Sequence, residues 1–196
     1  MDLKPLLDRR PILIALAGPN GAGKSTFFEA YLWKTGLYFV NADVLAAASG
    51  KDPYGAAAIA DTIRSSLVHQ REGFIFETVF SDPKGDKINF LKDAERRGYT
   101  VVLIFIGIDG PEISDDRVAM RVLQGGHDVS AAKLIERFPR TISNLKKAMA
   151  ELSNVWVFDN SDLRSPYRLV ARMEADMEIE LHEPVPQWLR GMLPTI

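Results

Sequence analysis

The fold is decided by one stretch of the chain, Gly18-Pro19-Asn20-Gly21-Ala22-Gly23-Lys24-Ser25, which fits the pattern G-x-x-x-x-G-K-[ST] without exception. An apolar run at residues 12–17 precedes it, and a helical pattern that opens with Thr26 follows it. In such a loop the glycines let the backbone wrap closely round a phosphate, and backbone N–H groups point towards it. The pattern predicts a nucleotide-binding loop at residues 18–26. We expect Lys24 to reach the β- and γ-phosphates of ATP and the Ser25 hydroxyl to hold Mg²⁺.

The rest of the chain alternates short apolar runs with longer helical patterns. Five runs are typical of buried strands in a parallel sheet, namely residues 12–17, 37–40, 74–79, 100–108 and 155–158. Helical patterns lie between them at 25–33, 54–71, 86–97 and 115–152, which predicts repeated strand–helix–strand units. Gly125-Gly126 and Pro139 interrupt the last pattern. We therefore expect a helical lid at 115–152 with a glycine joint and a bend or break near Phe138.

Length and composition favour one globular domain, residues 1–196, with an appendage at about 165–196. In that appendage apolar residues alternate from Tyr167 to Leu181, which predicts a β-hairpin turning near residues 174–176. The net charge of −2 disfavours a duplex nucleic-acid binder, and the absence of cysteine excludes disulfides and Cys-ligated metals. The longest apolar run near the start is too short to span a bilayer. No membrane partner is therefore expected, and the cytoplasm is the default location.

Acidic side chains near the carboxyl ends of the predicted strands are candidates for the chemistry, because ligands bind at that edge of a parallel sheet. Asp43 follows the second strand, Glu77 lies in the third, and Asp109 follows the fourth. A carboxylate there can accept the proton of an attacking hydroxyl or hold Mg²⁺, whereas the alternative for each is a helix cap or a turn. Glu77 interrupts an apolar run, which favours a functional role. Asp109 precedes Gly110-Pro111, which favours a turn.

The segment from residue 117 to 147 is basic in a chain whose net charge is negative. Arginines supplied by a closing lid can neutralise the charge that develops on a transferring phosphoryl group, and Gly125-Gly126 offers a hinge. The alternative is a solvated helix face. The basic residues of the segment are Arg117, Arg121, Lys133, Arg137, Arg140, Lys146 and Lys147.

Taken together and in this order, these residues resemble the zeta toxin family of P-loop kinases, in its compact stand-alone branch. The resemblance covers roughly residues 10–161. It implies a P-loop kinase fold and the phosphorylation of a sugar nucleotide, UDP-N-acetylglucosamine, at a sugar hydroxyl with ATP and Mg²⁺. The segments that carry it are GPNGAGKST at 18–26, Asn41-Ala42-Asp43, Phe76-Glu77-Thr78, residues 117–121 followed by Gly125-Gly126-His127-Asp128-Val129, and RFPRTISNL at 137–145.

The resemblance also implies roles for individual residues. Asp43 would be the base that faces the acceptor hydroxyl, and Arg121 and Arg137 would be lid arginines at the γ-phosphate. Residues 81–90 show no recognisable sugar-binding motif. The other residues assigned to substrate binding are Glu77, Thr78, Arg117 and Arg140. Those assigned to Mg²⁺ are Ser25 and Glu77.

We therefore predict a three-layer α/β P-loop kinase fold with a mainly parallel five-stranded sheet in the order 2-3-1-4-5, a helical lid and a small C-terminal hairpin. The predicted function is transfer of the ATP γ-phosphoryl group to a hydroxyl of a small molecule, and a UDP-amino sugar is the first candidate for this acceptor. An antitoxin-like protein is a candidate partner. Two alternatives stay open. The first is a nucleotide-binding switch that acts through a partner, which would not need Asp43. The second is a nucleoside or polynucleotide kinase, but a channel for a single strand usually combines its basic groove with several aromatic residues, and only Phe138 interrupts the basic segment here.

Overall fold

A seven-stranded sheet forms the centre of the molecule. The computed structural model describes residues 8–50, 52–123, 130–175 and 177–193. The strands pair in the order β2-β3-β1-β4-β5-β6-β7, the first five parallel and the last two antiparallel to their neighbours. Their bounds are β1 Ile12–Ala17, β2 Tyr38–Val40, β3 Phe74–Thr78, β4 Thr100–Gly107, β5 Val155–Asp159, β6 Arg168–Met173 and β7 Glu180–Leu181.

Helices cover both faces of this sheet and so create three layers. On β1, Leu13 packs into one apolar cluster and Ile14 into the other, because successive side chains of a strand point to opposite faces. Both residues are fully buried, which explains why the strand is apolar throughout. The helices are α1 Lys24–Phe27, α2 Ala42–Ser49, α3 Pro53–Gln70, α4 Asp86–Arg96, α5 Pro111–Leu123, α6 Ala131–Glu151 and α7 Gln187–Arg190. In the described part of the chain, no helix has the length and hydropathy that crossing a membrane requires.

The predicted fold class and the order of the first five strands are confirmed, and the place of the hairpin is corrected. β6 and β7 form the expected hairpin, but β6 also pairs antiparallel with β5, with Val155 opposite Met173. The hairpin thus extends the central sheet to seven strands. Alternation of apolar residues indicated the strands, but it carries no information about which edge they join.

Of the bend or break predicted near Phe138, the break is wrong, because α6 runs without interruption through Pro139. A proline inside a helix leaves the carbonyl four residues earlier without its N–H partner. Here that residue is Ile135, and both Ile135 and Pro139 are exposed, so water can satisfy the carbonyl. The predicted glycine joint at Gly125-Gly126 lies outside the described residues.

The second half of α6 is fixed to the loop that follows β3. The Thr141 hydroxyl donates to the Val79 carbonyl at 3.0 Å, and the Asn144 amide donates to the carbonyls of Phe80 and Asp82 at 3.0 and 2.9 Å. Thr141 and Asn144 are both buried. This half of α6 therefore belongs to the core, and any movement of a lid is confined to the residues before it.

The packing of Trp188, on the C-terminal helix α7, against β4 can be tested at Gly107, the last residue of that strand. A Cβ at Gly107 would lie 2.2 Å from the Trp188 ring, which a 2.9 Å hydrogen bond from Nε1 to Asp159 Oδ1 holds in place. We expect Gly107→Ala to displace the indole and to lower the free energy of unfolding by about 1–3 kcal/mol, measured by chemical denaturation. Gly191→Ala is the matched control, because Gly191 has a helical φ of −67° and no atom near its missing Cβ. Equal stability of the two variants would contradict the proposed clash.

Candidate active site

The phosphate loop connects β1 to α1 in a conformation that its glycines allow. Gly18 has a φ of +144°, and a Cβ there would lie 2.1 Å from the Ile106 carbonyl oxygen, so no larger residue fits. Gly23 precedes α1 with a φ of +91°. Lys24 is 6% exposed, and its ammonium donates to the carbonyls of Gly18 and Pro19, both at 2.9 Å. The backbone of the loop therefore folds around the ammonium group of Lys24.

Side chains from three other segments of the chain hold this loop from outside. They donate to four consecutive carbonyl groups of the loop and so restrict it to one conformation. Sequence reasoning overlooked Ser114 and Tyr167 as parts of the site, since neither stands near the motif in the sequence. The four contacts are Ser114 Oγ to Asn20 O at 2.6 Å, Arg117 Nη1 to Gly21 O at 3.4 Å, Asn160 Nδ2 to Ala22 O at 2.8 Å and Tyr167 OH to Gly23 O at 3.0 Å.

Glu77, at the end of β3, connects the phosphate loop to the end of β2. Its Oε2 accepts from the Ser25 hydroxyl at 3.0 Å and from the Asn41 amide at 2.9 Å, and its Oε1 lies 3.8 Å from Lys24 Nζ. The Glu77 side chain is 13% exposed. A nearly buried carboxylate is stable in such a place because a cation and two donors compensate its loss of water.

Asp43 lies in the first turn of α2, where Asn41 places it. The Asn41 carboxamide oxygen caps this helix and accepts from the backbone N–H of Asp43 at 2.8 Å, while its amide bonds to Glu77. A carboxylate in a first helical turn is favoured by the helix dipole. The Asp43 side chain itself is exposed, so the cap belongs to Asn41 and Asp43 is available to a ligand.

Two cavities meet at Asp43. The first is a cleft of about 260 Å³ along the phosphate loop, lined also by Lys24, Ser25 and Arg117. The second is a cavity of about 170 Å³ between α2, α3 and β3. Asp43 and Glu77 line both of them. The arrangement can therefore hold a nucleotide on one side of Asp43 and a second molecule on the other.

A buried arginine that sequence reasoning missed lines the second cavity. Arg64, on α3, is 5% exposed and forms an ion pair with Asp61 one turn earlier. Burial lowers the pKa of Arg64 to about 10, so the guanidinium stays charged at neutral pH. The sequence shows only the four-residue spacing of Ala56, Ala60, Arg64 and Val68, and the structure adds that this stripe is buried.

The predicted lid arginines do not all lie at the phosphate loop. Arg117 contacts the loop and donates to the Ser161 carbonyl at 3.1 Å. Arg137 and Arg140 line a third cavity of about 510 Å³ beyond the second, and Arg140 pairs with Glu136 at 2.9 Å. The side chain of Arg121 lies outside the described residues.

Thr78 and Asp109 complete the set of predicted residues. Thr78 lines the second and third cavities, and its hydroxyl accepts from the Phe80 backbone N–H at 3.0 Å. Asp109 is exposed in the turn after β4, where Gly110 N–H donates to Ile108 O at 3.0 Å.

The donors around Ser25 suit magnesium. Among the described residues, no three His, Asp or Glu side chains cluster as a metal site. The Ser25 hydroxyl and the Glu77 carboxylate are hard oxygen donors 3.0 Å apart, the ligand type that Mg²⁺ prefers when nucleotide phosphates complete its coordination. These residues therefore fit a nucleotide-bound Mg²⁺.

Comparison with known proteins adds a family and a fold. The family model for zeta toxins matches residues 46–171, more than half of the chain. This match begins after the phosphate loop and Asp43, so the phosphate-loop motif is evidence in addition to the family match. No curated protein sequence matches the chain.

Solved structures share the fold at low sequence identity. The complex AvrRxo1-ORF1:-ORF2 with ATP is 19% identical, with a TM-score of 0.68 over 91% of this chain and 68% of that chain. The PezAT toxin–antitoxin structure from Streptococcus pneumoniae is 18% identical, with a TM-score of 0.55 over 80% of this chain and 77% of that chain. Shikimate kinase from Acinetobacter baumannii is 14% identical, with a TM-score of 0.51 over 82% of this chain and 89% of that chain.

Lys24 offers a direct test of the phosphate loop. We expect Lys24→Ala to lower nucleotide turnover at least about 100-fold, because the positive charge at the phosphates is lost. Lys34→Ala is the control, since Lys34 is an exposed lysine ten residues further along the same segment. Turnover is measured as release of ADP, and thermal unfolding checks that both variants fold. Normal turnover in Lys24→Ala would show that the loop does not serve the reaction.

Proposed function

The chain belongs to the zeta toxin family of P-loop kinases, and on this basis we propose that it transfers the γ-phosphoryl group of ATP to a hydroxyl of a small molecule, with a UDP-amino sugar such as UDP-N-acetylglucosamine as the first candidate. As a member of this family the protein is an ATP-dependent phosphotransferase. The open question is therefore the acceptor rather than the class of reaction.

The observation that carries the proposal is the position of Asp43 between two cavities. One cavity follows the phosphate loop, and the other opens on the far side of Asp43 and Glu77. Phosphoryl transfer needs donor and acceptor on opposite sides of the transferring group, roughly in line. A cleft for one nucleotide alone would not need the second cavity, which supports a kinase over a nucleotide-binding switch.

In the proposed reaction, the residues of this chain position the reacting groups and neutralise their charge. Asp43 accepts the proton that the acceptor hydroxyl loses as the new bond to phosphorus forms. Lys24, released from the carbonyls of Gly18 and Pro19, balances the charge of the β- and γ-phosphates. Arg121 and Arg137 stabilise the charge on the transferring group when the segment before Thr141 closes.

Mg²⁺ is proposed to bind at the Ser25 hydroxyl and the Glu77 carboxylate together with the nucleotide. Its chemistry there is to neutralise negative charge on the phosphate oxygens. Glu77 meanwhile keeps Asn41 and the first turn of α2 in place through its 2.9 Å hydrogen bond. The same carboxylate thus serves the metal and the alignment of the proposed base.

Binding of the acceptor is proposed to involve Glu77, Thr78 and Arg140 on the side of the second and third cavities. Arg117 is proposed to contact the nucleotide, since it lies on the phosphate loop. A protein partner of antitoxin type is also proposed, because structural relatives include the PezAT toxin–antitoxin system.

The proposed base is tested by Asp43→Asn. The variant keeps the size of the side chain and the Asn41 cap but cannot take a proton. We expect it to bind ATP normally, to melt within a few degrees of the parent, and to lose phosphotransfer to UDP-N-acetylglucosamine at least about 100-fold. Transfer is measured by mass spectrometry as the gain of one phosphate on the acceptor. If the variant transfers phosphate at the rate of the parent, Asp43 has only a structural role. If both proteins bind ATP but phosphorylate no hydroxyl compound, the result favours the nucleotide-binding switch.

The lid arginines are tested by Arg121→Ala and Arg137→Ala. An arginine at the transferring phosphoryl group contributes about 10³–10⁵ in rate in well-studied cases, so kcat should fall far more than the Kd for ATP rises. Lys133→Ala is the control, because Lys133 is exposed one turn before Arg137 on α6. An increase in the KM of the acceptor with kcat unchanged would instead make Arg137 an acceptor contact.

A further inference from the structure

Asp159, the last residue of β5, joins the C-terminal segment of the chain to the edge of the sheet that carries the phosphate loop. The residue is 8% exposed. Its Oδ1 atom accepts from the Ser161 hydroxyl at 2.6 Å and from the Trp188 indole N–H at 2.9 Å, and its Oδ2 atom lies 3.3 Å from the Arg168 guanidinium. Donors from three parts of the chain thus meet at one carboxylate, to which the proposed reaction gives no role.

The two residues that follow Asp159 are attached to the phosphate loop. The Asn160 side chain donates from Nδ2 to the Ala22 carbonyl at 2.8 Å. The Ser161 carbonyl accepts at 3.1 Å from Arg117, whose guanidinium also donates to the loop. Two of the four contacts that hold the loop from outside therefore depend on where Asp159 places its neighbours in the chain.

On its other side, Asp159 is attached to the C-terminal segment. Trp188 belongs to α7, and its ring lies against β4 at Gly107. Arg168, on β6, donates to the Pro184 carbonyl as well as to Asp159, and Pro184 lies between β7 and α7. The hairpin and α7 are therefore both fastened to the end of β5 through this carboxylate.

The contact between Asn160 and the phosphate loop has no slack. A Cβ at Gly23 would lie 2.7 Å from Asn160 Nδ2, so the amide group packs directly against the loop backbone. Close packing of this kind transmits a small displacement instead of absorbing it. A loop whose N–H groups are fixed before the nucleotide arrives loses less conformational entropy on binding. A shift of Asp159 is therefore expected to reach the phosphate loop and to weaken the binding of ATP.

We propose that Asp159 and Trp188 are positioning residues for ATP, which hold Asn160 and Ser161 so that the phosphate loop is preformed for the nucleotide. The C-terminal helix α7 is thus a functional part of the nucleotide site, although Trp188 itself does not line the cleft along the loop. This inference rests on the proposed function only in its first step, the binding of ATP at the phosphate loop. It is independent of the identity of the acceptor.

The role of Trp188 is tested by Trp188→Phe, which keeps an aromatic ring and removes the N–H group. A change of Asp159 itself is less suitable, because it would leave Arg168 without its carboxylate and lower stability. We expect the Kd of a non-hydrolysable ATP analogue with Mg²⁺, measured by calorimetry, to rise about three- to tenfold. Trp33→Phe is the matched control, because Trp33 is 70% exposed, and it should bind the analogue as the parent does.

Two further readouts separate positioning from a purely structural role. A partly unfolded sample lowers the number of binding sites in the titration and the melting temperature, but it leaves the Kd of the folded molecules unchanged. Ser161→Ala removes the second donor to Asp159 Oδ1 and should also raise the Kd. In the double variant with Trp188→Phe, the combined effect should differ from the product of the single effects by at least about threefold, because both donors act through one oxygen atom.

The results distinguish the positioning role from the proposed function. If Trp188→Phe binds the analogue as tightly as Trp33→Phe does, or if the effects of Trp188→Phe and Ser161→Ala simply multiply, the positioning role is wrong and the kinase activity is untouched. Weaker and non-multiplicative binding in these variants, with no phosphotransfer by the parent to any hydroxyl compound, would support the positioning role and overturn the proposed function. Failure of the parent to bind the analogue would overturn both.

Discussion

The Glu77 carboxylate is the contact on which the geometry of the site depends. It stands at the end of β3, between the phosphate loop after β1 and the helix that follows β2. These strands are neighbours in the sheet, so their carboxyl ends meet at one edge, but parallel pairing alone does not fix the loops beyond them. One nearly buried carboxylate that accepts from Ser25 and Asn41 ties both loops to the sheet. The proposed base, Asp43, and the phosphate loop are thereby held in a fixed position relative to one another.

Charged side chains of opposite sign alternate from the phosphate loop to the second cavity. Lys24 lines the cleft along the phosphate loop, Asp43 and Glu77 line both this cleft and the second cavity, and Arg64 and Lys87 line the second cavity. Glu77 is stabilised there by the donors Ser25 and Asn41 and by Lys24, whereas Asp43 is exposed to water. Such an order suits the proposed reaction, in which the phosphates of ATP need a cation and the acceptor hydroxyl needs a carboxylate that takes its proton.

Local patterns in the sequence predicted the parts of the molecule that depend on neighbours in the chain. The phosphate loop was predictable because its glycines and Lys24 stand together in one short segment of the chain. The parallel strands β1, β4 and β5 were predictable because both their faces are buried, which makes their sequences apolar throughout. The attachment of β6 to β5 was not, since a period of two identifies a strand and not its partner. Arg64 was missed because its meaning depends on which face of α3 is buried, and Tyr167 because it reaches the loop from 144 residues away.

A strained backbone follows β3, where the chain turns towards α6. Phe80 has a φ of +62°, a left-handed conformation that costs about 1–2 kcal/mol for such a residue. Its ring is 1% exposed, its N–H bonds to Thr78, and its carbonyl accepts from Asn144 of α6. The turn therefore directs residues 79–82 towards α6, which carries Arg137 one turn before Thr141. Arg137 lies on the same helix as Thr141 and Asn144, whose hydrogen bonds fix that helix to residues 79–82, so the proposed closure of a lid is limited to the residues before Thr141.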